Sequence, residues 1–116
     1  MLVKTFGSSV YGVDAVTITI EVSTDKQGAK YHMVGLPDNA VKESWQRVET
    51  ALKEVGYKMP RYKIVVNLAP ADIRKEGSAY DLAIAIGILK ASEQIQDTID
   101  LSKYLIMGEL SLDGSI

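Results

Sequence analysis

Between Ala79 and Ala91 the chain reads AYDLAIAIGILKA, a run in which only Asp81 and Lys90 carry charge. A helix built from it is apolar on nearly every face, and such a helix is stable only where neighbouring elements cover most of its surface. The run therefore demands a central helix packed against a sheet. At 116 residues and 47% hydrophobic composition the chain is large enough for one core, burying roughly two-thirds of its unfolded surface.

The covering sheet is written most clearly in AVTITIEV, residues 15–22. Val16, Ile18, Ile20 and Val22 share one face and Thr17, Thr19 and Glu21 the other, the alternation of a half-buried strand. LVKTF (2–6) is expected as its antiparallel neighbour across a turn in GSSVYG, and KYHMV (30–34) as the strand that follows STDKQG. Beyond GLPD the period changes. Val41, Trp45, Val48, Leu52 and Val55 recur at steps of four and three, predicting one helix with Asp38 as N-cap and Gly56 as C′ stop. RYKIVV (61–66) and YLIMGEL (104–110) are predicted strands, with NLAPADIRKEG a loop and SEQIQDTIDLSK a loop carrying a short helical turn. The Asp-Gly pair in SLDGSI predicts a hairpin turn, and because its return strand is cut short, the chain is expected to be a fragment of a longer protein.

Composition removes several chemistries. The chain has no cysteine, which excludes disulfides, thiolate zinc sites and a cysteine nucleophile, and fits a reducing, cytoplasmic setting. His32 is the single histidine, so no site needing two histidine ligands can form; within YHMV it is expected as a sheet residue. Lys4, Asp14 and Glu21 interrupt the opening segment, and no apolar run approaches the ~18 residues of a membrane span. The net charge of −2 hides an asymmetry: residues 42–75 hold eight Lys/Arg against four Asp/Glu, and residues 76–116 hold two against seven. A basic face is therefore possible in the middle of the chain.

Ser78 and Asp81 stand at the S-x-x-D spacing of a capping box at the head of the apolar helix. Helix-start amides beside Arg74 and Lys75 also make Ser78 and Asp81 an anion-contact candidate. A serine nucleophile would need a G-x-S-x-G elbow or an S-x-x-K pair, and a phosphate cradle a Walker loop; the sequence contains none of these.

Three long blocks, VGLPDNAVKESWQRVETAL (34–52), NLAPADIRKEGSAYDLAIAIGIL (67–89) and GELSLDGSI (108–116), together with FGSSVYGVDAVTITIEVS near the start, resemble the N-terminal region of the Mg-chelatase-like ATPases of the ComM/YifB type. The resemblance implies an α+β fold of the ribosomal protein S5 domain 2-like kind, a mixed sheet with two main helices. That fold is shared with the proteolytic domain of Lon and the C-terminal domain of RadA. It implies a single domain over residues 1–116, with an AAA+ module downstream in the parent. ATP and Mg²⁺ belong to that module, and neither a cofactor nor a metal is expected in this chain. The parent would resemble a bacterial hexameric DNA helicase that promotes branch migration in natural transformation.

Lon proteases carry a Gly-Pro-Ser-Ala-Gly stretch. Laid without a gap on Gly77-Ser78-Ala79-Tyr80-Asp81, it places Ala79 at the nucleophile position, and the partner lysine would follow the last hairpin. A non-catalytic accessory and ring-assembly domain is therefore expected, with a Ser/Lys peptidase using Ser78 as the alternative. Magnesium insertion into porphyrin ranks last, because nothing in the sequence looks like a porphyrin or magnesium site. Lys42, Arg47, Arg74 and Lys75 are the candidates for DNA backbone contact, since phosphates are held chiefly by cations.

Overall fold

The computed structural model describes residues 1–96 and 98–116. β1 (Leu2–Tyr11) and β2 (Asp14–Asp25) form an antiparallel hairpin closed by the two residues Gly12 and Val13. The turn is thus much tighter than GSSVYG suggested, and Gly7 to Tyr11 belong to the strand. Gly12, at φ 65°, takes the left-handed conformation that such a tight connection favours.

β3 (Tyr31–Val34) does not pair with β2. β4 (Lys63–Ala69) lies between them, antiparallel to β2 and parallel to β3, giving the order β1-β2-β4-β3. The physical reason is the connection. A parallel pair needs a long crossover, and the helical segment between β3 and β4 supplies it. His32 sits on β3, exposed.

That crossover contains α1 (Asn39–Lys42) and α2 (Ser44–Glu54), nearly continuous but separated by Glu43, which keeps right-handed helical angles of φ −67° and ψ −13°. Asp38 caps the start, its Oδ1 accepting from Val41 N at 2.8 Å. Gly56, at φ 94°, ends α2 in a Schellman motif: Gly56 N donates to Lys53 O and Tyr57 N to Leu52 O. Both predicted caps are present. The buried stripe, however, is rotated from the expected one. Val41, Ser44, Val48, Ala51 and Leu52 are inside, Trp45 lies at the rim stacked on Tyr31 at 5.2 Å, and Val55 is exposed.

α3 (Asp81–Ala91) fills the place its composition demands, across β1 and β2 and against α2. Its Ile84 and Ile88 are fully buried, as are Ile18, Ile20 and Val22 of β2. Each such burial stabilises by about 1.5–3 kcal/mol. At Gly87 the helix approaches so closely that a Cβ would meet Val22 Cγ2 at 2.6 Å. Thr5 looks out of place on the apolar face of the sheet, but its Oγ1 donates to Ala83 O at 3.0 Å and so fastens β1 to α3.

YLIMGEL is not a strand. Ile106 N donates to Phe6 O on β1, and the segment then leaves the sheet for the start of α3, where Gly108 N donates to Ala79 O and Gly108 O accepts from Leu82 N. Tyr104, Leu105 and Met107 are exposed, so the expectation of a buried strand fails for want of a second run of ladder bonds. The preceding segment has its short helical turn, a 3₁₀ turn at Leu101–Lys103 capped by Asp100; Asp97 lies outside the described residues. The SLDGSI turn forms, closed by Ser111 N to Ser115 O at 2.8 Å. Among the described residues no helix is long and apolar enough to cross a membrane.

Candidate functional site

The residues singled out for function fall into three places. The first is the start of α3. Neither Ser78 nor Asp81 acts as a side-chain cap there: the helix begins at Asp81 behind Tyr80, and no side chain caps that end. Gly108 O instead accepts from Leu82 N, an amide of the first turn. Asp81 points inward, with no exposed surface. Its Oδ2 accepts from Arg47 Nε at 2.6 Å and from Leu110 N at 3.1 Å, and its Oδ1 accepts from Ser44 Oγ at 2.6 Å and Arg47 Nη2 at 3.0 Å.

This is a bidentate pair in which α2, α3 and the 108–110 segment meet on one carboxylate. Arg47 Nη2 also donates to Ala40 O at 2.7 Å, and Nη1 lies 3.6 Å from a Glu43 carboxylate oxygen. The hydrogen bond to Asp81 raises the guanidinium pKa above its ordinary value, against the opposing effect of burial. With its side chain only 18% exposed and both faces of its fork engaged, Arg47 is not placed to receive a DNA phosphate. The side chain expected to contact DNA is thus engaged by the buried carboxylate of Asp81.

The second place joins two loops. Lys75 is fully buried, its Nζ donating to Gly35 O at 2.9 Å and to Pro70 O. Its backbone extends the clamp: Lys75 N donates to Leu36 O at 3.0 Å and Asp38 N to Lys75 O at 2.9 Å. Asp38 Oδ2 accepts from Gly77 N at 3.2 Å. Leu36 is held at φ 54°, unusual for a branched side chain, between Gly35 and Pro37. Gly35, at φ 102°, cannot be replaced freely, because a Cβ would lie 2.1 Å from Leu68 O. Burial lowers the Lys75 ammonium pKa from its ordinary value, with Asp72 pulling weakly the other way. Lys75, too, is turned inward rather than presented at the surface.

The third place is on the surface. Lys42 and Arg74 are both exposed and line one open depression of roughly 400 Å³ with Leu36, Pro37, Asp38 and Asn39. Arg74 Nε lies 3.6 Å from Glu76 Oε1, but at 69% and 72% side-chain exposure that pair holds little. Of the four candidate cations, the fold thus brings two together on the outside and uses two to lock the inside. Sequence reasoning missed the Arg47–Asp81 pair, although a signal was present: a lone carboxylate in an otherwise apolar helix must find a cation or donors when buried.

The arrangement defines a class of protein part, a small α+β module whose helices and loops are locked by buried polar clamps, with two of the four candidate cations left accessible at one loop cluster. Comparison with known proteins gives its family. The model of subunit ChlI of Mg-chelatase matches residues 20–116. The chain is 49% identical over 105 residues to YifB of Escherichia coli (strain K12), covering 90% of this chain and 21% of that protein. It is 46% identical over 105 residues to the competence protein ComM of Haemophilus influenzae, at 90% and 20% coverage. A Mycobacterium bovis relative is 37% identical over 113 residues, at 97% and 22%. The chain therefore belongs to the Mg-chelatase-like family of ComM/YifB type, and spans about a fifth of the length of the curated relatives it matches.

Proposed function

We propose that the chain serves as a non-catalytic accessory and assembly domain of a Mg-chelatase-like AAA+ ATPase, within a parent that acts in the cytoplasm as a hexameric DNA branch-migration helicase. Its mixed sheet with the main helices on one side is compatible with the S5 domain 2-like fold of Lon. The observation that carries the reading is the fate of the stretch where Lon places its peptidase chemistry. Asp81 is consumed in a structural clamp, and Lys75, three residues before Ser78 in the sequence, aims its ammonium at two backbone carbonyls. Membership of a family with a relative named a competence protein supports the DNA assignment.

ATP and Mg²⁺ would be held by the AAA+ module. The sequence has no Walker loop, and among the described residues no group of three or more His, Asp or Glu lies together. Exposed Lys42 and Arg74 are the remaining candidates of the original four for contact with the DNA backbone. In the full-length parent, Lys42→Gln with Arg74→Gln should weaken DNA binding and lower the salt slope by roughly 1–2. Unchanged affinity removes this pair from the DNA path. Covalent labelling of Ser78 by a serine-directed electrophile in the same protein would establish the peptidase alternative instead.

A further inference from the structure

A different surface, built from the connection between α2 and β4, carries a ligand-binding chemistry that none of the four candidate cations uses. The Schellman turn at Gly56 throws residues 57–62, YKMPRY, out as a loop. Two open depressions of roughly 540 and 560 Å³ flank it and share Lys58, Met59 and Arg61. Tyr62 lines one of them, and Tyr31, Tyr57 and Lys53 line the other. Lys53, Lys58 and Arg61 are exposed, and among the described residues no salt bridge to a carboxylate engages any of them. Glu49 is the single carboxylate in the linings.

The loop is held in shape before any ligand arrives. Gln94, just past α3, receives Lys58 N on its Oε1 at 2.9 Å and donates its Nε2 to Lys58 O at 2.7 Å. Tyr31 donates its hydroxyl to Pro60 O at 3.2 Å while its ring stacks on Trp45. The cationic side chains themselves are left out of this scaffold.

We propose that the 57–62 loop and its two flanking depressions bind single-stranded nucleic acid, Lys53, Lys58 and Arg61 holding phosphates and the rings of Tyr57 and Tyr62 offering surfaces on which bases stack. Cations interleaved with rings across two adjoining open depressions suit a strand that presents a phosphate and a base at each step. An acidic protein surface would use the cations, but it does not present the regular succession of phosphate and flat base that a single strand does. The inference shares with the proposed function only the premise that the parent meets DNA; it rests on different residues.

The test is fluorescence anisotropy of the chain with a labelled 12-nucleotide oligo-dT at low salt, beside an abasic oligomer of the same length. The expected result is salt-sensitive binding that drops about tenfold in Lys58→Gln/Arg61→Gln, with the salt slope falling by roughly 1.4, as two single-strand phosphate contacts require. Both side chains are exposed and the Gln94 clamp holds only the Lys58 backbone, so the thermal melt should not move. Tyr57→Ala and the abasic oligomer should each weaken binding about fivefold or more, through lost stacking.

No binding by the wild-type chain overturns the proposal, and so does equal binding by the Lys58→Gln/Arg61→Gln variant. Displacement by a 12-residue oligoglutamate as effective as by unlabelled oligo-dT, with the abasic oligomer undiminished, overturns it in favour of an acidic protein partner. A loss confined to Lys42→Gln/Arg74→Gln also overturns it, while leaving the proposed function standing.

Discussion

Arg47 and Lys75 are both cations drawn into the interior, yet the interior treats them oppositely. Arg47 meets a carboxylate with two parallel hydrogen bonds, and its pKa is raised. Lys75 meets two carbonyl oxygens, and its pKa is lowered by burial. Carbonyl dipoles satisfy the protons of an ammonium without neutralising its charge, so desolvation is offset only in part. The difference teaches what each clamp can bear. The Arg47–Asp81 pair ties α2, α3 and the 108–110 segment into one body, whereas Lys75 ties two loops around the strained Leu36 turn.

The contrast is broken most severely at Asp81. Asp81→Ala strands Arg47 and releases Ser44 Oγ and Leu110 N, and should cost about 3 kcal/mol in urea unfolding. The low end of the usual 3–5 range is expected because the Arg47 side chain keeps 18% exposure. Lys75→Met removes a charge that nothing neutralises and leaves the carbonyls of Gly35 and Pro70 without their donor, for a smaller cost of about 1–2 kcal/mol. If the two variants lose the same stability, the distinction between a neutralised and an un-neutralised cation is wrong.

Much of the frame could be read from the sequence because local signals wrote it. The apolar run at 79–91 required a covered helix, the alternation at 15–22 a half-buried strand, and Asp38 and Gly56 mark helix ends in the structure as predicted. What escaped depended on distant partners. The place of β3 beside β4 was encoded in the strand–helix–strand order of residues 30–66, which favours parallel neighbours, but KYHMV itself carries no mark of its neighbour. The apolar 104–110 segment looked like a strand and was recruited instead to the start of α3, where it does the work expected of Ser78. Arg47 and Lys75 could not be told from surface cations, because a charged side chain announces its partner only through the fold. Arg74 and Lys75 are adjacent in sequence, and one is exposed while the other is wholly buried.

A finer test of the same contrast uses pH. The folded-state pKa of Lys75 lies below its ordinary 10.5. Beneath that lowered value both folded and unfolded chains carry the proton, and the burial penalty is fully present. Between it and 10.5 the folded chain has released a proton that the unfolded chain still binds, so stability must rise with pH. The neutral amine keeps enough N–H groups for both carbonyls, so the clamp survives the titration. Tyr31, whose pKa is raised chiefly by burial, titrates in the same alkaline range, but it is common to wild type and Lys75→Met and cancels in their difference. That difference in unfolding free energy should therefore move in favour of the wild type as pH climbs toward 10.5, by a fraction of the substitution's own effect. Arg47, raised above its ordinary value, stays charged throughout and contributes no such slope. A difference that stays level or moves toward the variant would mean that the two carbonyls solvate the ammonium as well as water does, and Lys75 would then belong with Arg47 as a fully compensated cation.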